Sequence, residues 1–304
     1  MAFRLRPNRP FTAEFISTVR NQLRQAIDAL EQQPEGPHEA IHEARKKFKR
    51  VRALYRLIQP DAKQFRHREN ERIRTMAKTL SAVRDATALI ETVDYLASEA
   101  GSPEELAALA TASATLTERR DRIASEEIDL AAKMAAAAET CREAIRAVET
   151  LELNDAPQKT ARRLAKAWGK EISRAAGDLV ACEETGDGEA FHDLRKVSQT
   201  YWMHLSLLSD LWPSAMRAKQ REARKLVDLL GHEHDLSVLT QLINESPEFF
   251  GDSDTLALLI GAIIARQQEL RQEAIEQAKL VFADDANTEA ARIALLWQEA
   301  AARK

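Results

Sequence analysis

A chain of 304 residues is long enough to bury a substantial core, and with only Cys141 and Cys182 it has neither a disulfide framework nor a C-x-x-C metal or redox pair. No eighteen apolar residues follow one another, and the first ten carry charge with no apolar run behind them, so the expectation is a cytoplasmic protein with no membrane association. A net charge of -4 argues against polyanion partners on average, but the average conceals a segment of the opposite sign.

Glycine and proline, nine of each, gather between long apolar-periodic runs rich in Ala, Leu, Glu, Arg and Lys, the strong helix formers. The breaks are Pro34–Pro37, Gln59–Asp61, Gly101–Pro103, Asn154–Pro157, Gly186–Gly188, Trp212–Pro213 and Glu245–Pro247. They divide the chain into about eight helices and predict an all-α protein of packed helix pairs or four-helix units.

The first helix carries Arg20 and Arg24. Beyond it, Ala40 to Arg84 holds 14 Lys and Arg against four acids, a charge of +10 that leaves -14 for the remainder. On a helix starting near Ile41, one stripe is apolar: Ile41, Ala44, Phe48, Val51, Leu54, Tyr55 and Ile58. On a separate face lie His42, Arg45, Lys46, Lys49, Arg52 and Arg56, with no acid among them. Like charges at these spacings repel by a few tenths of a kcal/mol per pair, which a bound anion would relieve, and the arginine fork suits phosphate oxygens. The next helix should turn Ile73, Met76, Leu80, Val83 and Thr87 inward and leave Arg74, Lys78 and Asp85 on one flank. Asp85 there is expected to orient a neighbouring Arg or His rather than to act as a catalytic acid.

The second half repeats the first. Phe191-His-Asp-Leu-Arg-Lys196 matches Ile41-His-Glu-Ala-Arg-Lys46 at an offset of 150, and the same offset places Leu230–Asp235 over Leu80–Asp85 and Arg224 over Arg74 without a gap. The chain thus reads as two halves, 1–152 and 153–304, each an expected four-helix bundle, related by a pseudo-twofold axis. The second copy keeps His192, Arg195 and Lys196 but has Gln199 and Trp202 where the first has Lys49 and Arg52, so its basic face is weaker. Arg163, Lys166, Lys170 and Arg174, together with Arg217, Arg221, Arg224 and Lys225, could supplement it. If the halves face each other, these residues line a central groove or pore.

Two roles are open to His42, a satisfied structural histidine or a donor to phosphate. His232 and His234, two apart on a helix, point to different faces and predict no metal site. Walker loops, G-x-G-x-x-G, G-x-S-x-G and H-E-x-x-H are all absent, and no paired carboxylates stand beside the basic face, so neither catalysis nor a cofactor is expected.

With His42, Arg45, Lys46, Lys49, Arg50 and Arg52 in the pattern H-x-x-R-K-x-x-K-R-x-R, its echo at His192, Arg195 and Lys196, and the motifs ending at Asp85 and Asp235, the chain resembles the CHAD family of conserved histidine α-helical domains. The resemblance spans about Phe11 to Ala300. It implies two four-helix bundles around a basic groove or pore that binds inorganic polyphosphate without catalysis, with polyphosphate granules and their proteins as associated partners. A nucleic-acid backbone is the alternative ligand, against which the inward-facing Phe48 and Tyr55 speak, since single-strand binders stack bases on exposed aromatics.

Overall fold

The computed structural model describes residues 3–80 and 82–302; Ser81, part of the Leu80–Asp85 motif, lies outside the described residues with Met1, Ala2, Arg303 and Lys304. The described residues form eleven α-helices and one short 3-10 turn, Pro247–Phe250, with no strand among them. The first half contains α1 Phe11–Gln32, α2 Pro37–Leu57, α3 Lys63–Thr79, α4 Ala82–Ser98, α5 Pro103–Glu126 and α6 Leu130–Glu149. The second contains α7 Pro157–Thr185, α8 Gly188–Leu207, α9 Pro213–Glu245, α10 Ser253–Val281 and α11 Ala286–Ala302.

All seven sequence breaks separate helices, and the chemistry at them is local. Gly186 takes the left-handed conformation (φ 65°) and its amide returns to the Cys182 carbonyl, closing α7. Asp187 then caps α8 by accepting from the Ala190 amide at 2.8 Å, as Ser102 caps α5 through the Glu105 amide at 3.1 Å. Three further breaks raise the expected eight helices to eleven: Leu80, Glu127–Asp129 and Phe282–Asp285. None contains Gly or Pro. The first distinguishes the copies, because the stretch spanned by α3 and α4 corresponds, at the offset of 150, to the single 33-residue helix α9.

The whole predicted stripe of α2 is buried, and Ile73, Met76, Leu80 and Val83 are buried as well, whereas Thr87 is only partly so and Ala86 and Leu89 take the inward positions on α4. The main core draws on both halves. Phe11 of α1 meets Trp297 of α11 edge to face at 5.8 Å across the halves, and within the second half Trp168 meets Tyr201 at 5.2 Å. Polar contacts stitch the same seam: the Leu5 amide donates to the Leu207 carbonyl at 2.8 Å, and the buried His204 ring bonds the Ala53 carbonyl through Nε2 at 2.9 Å. A second core also crosses the halves, with Leu89, Val93 and Leu96 of α4 and Leu109 and Leu116 of α5 joining Leu236 and Ile243 of α9 and Leu259 and Ile263 of α10. Among the described residues, no helix is long and apolar enough to cross a membrane.

Arg163, expected near the groove, is a core residue. Its side chain is fully buried, donates from Nε to Asp61 at 2.6 Å and from NH2 to the Asn154 carbonyl at 3.0 Å, and lies over the Phe11 ring. The guanidinium ties the two halves together, and although its Nη1 has no hydrogen-bond partner, full burial keeps it from any ligand in solution.

Candidate functional site

The basic faces of α2 and α8 meet. α2 packs on both α4 and α8, and α9 packs on those same two helices, so four helices enclose the charges. Lys49 on α2 lies within the field of Arg195 on α8, Arg45 on its own helix, Arg84 on α4 and Asp235 on α9. Its tip reaches solvent, yet protein surrounds it closely enough that burial, followed by Arg195 and Arg45, pushes its ammonium down to about 8. Burial likewise lowers the Arg195 guanidinium and raises the Asp235 carboxyl, each partly offset by the other's charge.

The repeat is expressed as paired contacts. Arg45 reaches Asp85 at 3.5 Å, while its counterpart Arg195 is coupled to Asp235. His42 accepts at Nδ1 from the Arg84 Nε at 3.1 Å, which requires that nitrogen to be unprotonated. At the corresponding place, His192 stacks on His234 with centroids 4.6 Å apart. Burial and then Lys46 and Arg84 lower His42, burial and then Lys196 and Arg195 lower His192, and His234 falls to about 4. Burial and neighbouring cations hold these three imidazoles below the usual histidine range, so negative charge brought close to them would favour their protonation. Arg84 was counted in the basic segment but not among the site residues; its signal was the repeat alignment, which sets it opposite His234.

The structure brings together His42, Arg45, Lys46 and Lys49 with His192, Arg195 and Lys196. Lys46 and Lys196 are the outer members, each paired with an acid of its own turn, Glu43 and Asp193. Arg174 approaches the same Asp193 at 3.8 Å and Asp178 at 3.5 Å. Further along α2, Arg52 donates to Asn70 at 3.0 Å and is lowered by burial, Arg56, Arg74 and Arg66, so these four arginines form a continuation of the face. Arg56 is occupied, with NH1 donating to both Glu171 oxygens at 3.1 and 2.9 Å. Arg74, beside Glu71, and Lys78 are exposed on α3, and Lys170 flanks Glu171 on α7.

Other candidates stand apart. Arg20 of α1 pairs with Glu149 of α6, Arg24 is exposed on α1, and no contact among the described residues ties either to the cluster. Arg50, within the motif, turns toward α1 and lies over the Phe3 ring. Arg217 donates back to the Pro213 carbonyl, Lys225 pairs with Glu222, and Arg221 is exposed beside Glu222. Arg224 pairs with Asp228 at 2.7 Å and stacks over Trp202 at 5.1 Å, so the residue replacing Arg52 in the second copy holds a cation through its ring face. His232 stacks on Tyr95, away from His234, as the two-residue spacing requires. Glu39, His42 and Glu43 have ligand atoms within 4.8 Å of one another, but Lys46 and Lys47 engage Glu43 and Arg84 engages His42, a poor setting for a metal ion.

No curated protein matches this chain. Among solved structures, the crystal structure of the CHAD domain from the plant Ricinus communis is similar over 93% of this chain and 95% of its own, with TM-score 0.64 at 18% identity, a likeness of fold. The family model of the CHAD domain matches residues 18–244, which include both histidine motifs and both Asp-terminated motifs. On that match, over most of its length, the chain belongs to the CHAD family.

Proposed function

We propose that this protein binds inorganic polyphosphate, without catalysis, in a basic groove or pore enclosed by α2, α4, α8 and α9. The observation that carries the reading is the convergence of Arg45, Lys49 and Arg195 from two facing helices, offset by Asp85, by Asp235 and, at Arg195, by Glu233, which is itself paired with Arg271. Linear polyphosphate presents a regular row of anionic oxygens, and forked guanidinium donors from two facing helices match such a row. Association with polyphosphate granules follows from the same contacts. A nucleic-acid backbone is less well suited: Phe48 and Tyr55 are sealed in the core, so α2 offers no ring for base stacking.

Titration with long-chain polyphosphate, against RNA and DNA at matched phosphate concentration, tests the reading; equal or better binding of nucleic acid overturns it. With six to ten phosphates contacted, counterion release as measured on DNA gives roughly 10³- to 10⁵-fold weaker binding between about 50 and 200 mM salt. Affinity indifferent to salt is incompatible with this site.

Affinity also falls as pH rises. Free Lys49 loses its proton near 8, whereas a bound anion holds it, so binding takes up a proton above that pH. Between pH 7 and 9 the loss from this group is up to about tenfold by that linkage. Lys49→Arg, charged throughout, should flatten the profile; an unchanged slope would assign the titration elsewhere.

A further inference from the structure

The cationic face of α2 does not end at the central cluster. Lys49 and Arg56 are seven residues apart, roughly 10 Å along the helix, and Arg56 forms one wall of a cavity of about 460 Å³ between α2, the start of α3, and α7. Lys63, Lys166 and Lys170 stand around it, and its one acid, Glu171, has both oxygens on Arg56. Among the described residues the three lysines make no ion pair. Arg66, one turn into α3 and close enough for Arg56 to act on it, has a buried Nε with no hydrogen-bond partner. Lys63 opens α3, whose N-cap residue Ala62 offers no side-chain acceptor to the first-turn amides, so the positive end of that helix adds to the lysines.

The other copy handles the equivalent place differently. At the offset of 150, the cavity corresponds to residues 206–213, from the end of α8 to the start of α9, and to residues 16–21 of α1. The chain's own N-terminal segment lies there: Leu5 is fully buried and bonded to Leu207, the Thr18 hydroxyl donates to the Arg4 carbonyl, and Arg4 pairs with Asp210 at 3.2 Å. One copy fills the space with its own peptide, and the other leaves it open and lined with uncompensated cations.

We infer that this open cavity is an end-recognition site, taking the terminal phosphoryl groups of a condensed phosphate chain whose body lies on the central cluster. A terminal phosphate carries about -1.5 to -2 charges near neutral pH by analogy with phosphomonoesters, more than an internal one, and so suits a cavity lined by three lysines that make no ion pair among the described residues. Free triphosphate, with the same end chemistry, fits as well. The inference rests on the polyphosphate reading of the central cluster.

The test uses the full chain, the variant Lys63→Gln/Lys166→Gln/Lys170→Gln, and the variant Arg45→Ala/Lys49→Ala/Arg195→Ala. The three lysines are solvent-exposed, so the first variant keeps its fold, which its melting curve checks. Each protein is titrated with triphosphate, with long-chain polyphosphate, and with the same polymer esterified at both ends. The parent should bind triphosphate and prefer open-ended polymer to blocked polymer. The lysine variant should lose at least tenfold in triphosphate affinity and lose that preference, while the central variant retains triphosphate binding. Triphosphate binding that is absent in the parent, unchanged in the lysine variant, or lost only in the central variant overturns the end site. Failure of the parent to bind long polymer while triphosphate still depends on the lysines overturns the central reading instead.

Discussion

Replacing Arg45, Lys49 and Arg195 together by alanine is expected to lower affinity for long-chain polyphosphate by at least about 100-fold, with helix content unchanged. Hydrogen bonds to charged groups contribute about 1.5–3 kcal/mol each, so three such losses exceed two decades even if only partly additive. The fold tolerates the change because none of the three belongs to the apolar stripes of α2 or α8. Removing mutually repelling charges favours the fold, whereas losing Arg195 and Lys49 takes from the Asp235 carboxylate the cations that offset its burial; the two effects oppose each other, so the melting temperature should move less than for a core lesion. Lys46→Ala is the internal comparison: its ammonium is half exposed and already paired with Glu43, so a loss within about fivefold is expected, in the range of exposed ion pairs. Equal binding by the triple variant and the parent would place the ligand on another surface.

Arg56→Ala should be felt mainly in stability. Glu171 is almost fully buried and takes both its short contacts from Arg56, which is itself largely covered. Truncation strands a carboxylate in the seam between α2 and α7, at a cost of about 3–5 kcal/mol. At roughly 2–4 °C per kcal/mol for a chain somewhat smaller than this one, the midpoint drops by about 6 °C or more. Arg56→Met combined with Glu171→Leu should recover most of the loss, because replacing both members of a buried pair by packed apolar groups is close to neutral. A double variant as unstable as the single would show that the pair is not the cause.

Arg56 also marks where sequence reading stops. Helical periodicity identified the buried stripe of α2, since each of those positions is decided by the helix's own geometry, and for the same reason it placed Arg45, Lys49 and Arg52 on one face. That Asp85 would orient a neighbouring Arg or His was expected from the sequence, but that the neighbour is Arg45 of α2 was not, since the two are 40 residues apart. The acids that consume Arg56 and Arg163 were not legible either: Glu171 and Asp61 are 115 and 102 residues distant from them, and nothing local announces such a pairing. The breaks at Leu80, Glu127–Asp129 and Phe282–Asp285 escaped because they lack the glycine and proline that mark the other seven. Arg20 and Arg24 stand 150 residues before Lys170 and Arg174, a correspondence that places them by the groove, yet Arg20 is directed to α6 through Glu149.

The second core bears on how such a chain can change over generations. Neither repeat covers its own apolar helices: α4 and α5 present Leu89, Val93, Leu96, Leu109 and Leu116 to α9 and α10, which are inherited with the other copy. A gene shortened to one unit would encode a protein with that surface bare to water, prone to aggregate before it could be selected for anything. Under that constraint the two halves can differ in charge, as Gln199 and Trp202 differ from Lys49 and Arg52, but neither half can be lost alone.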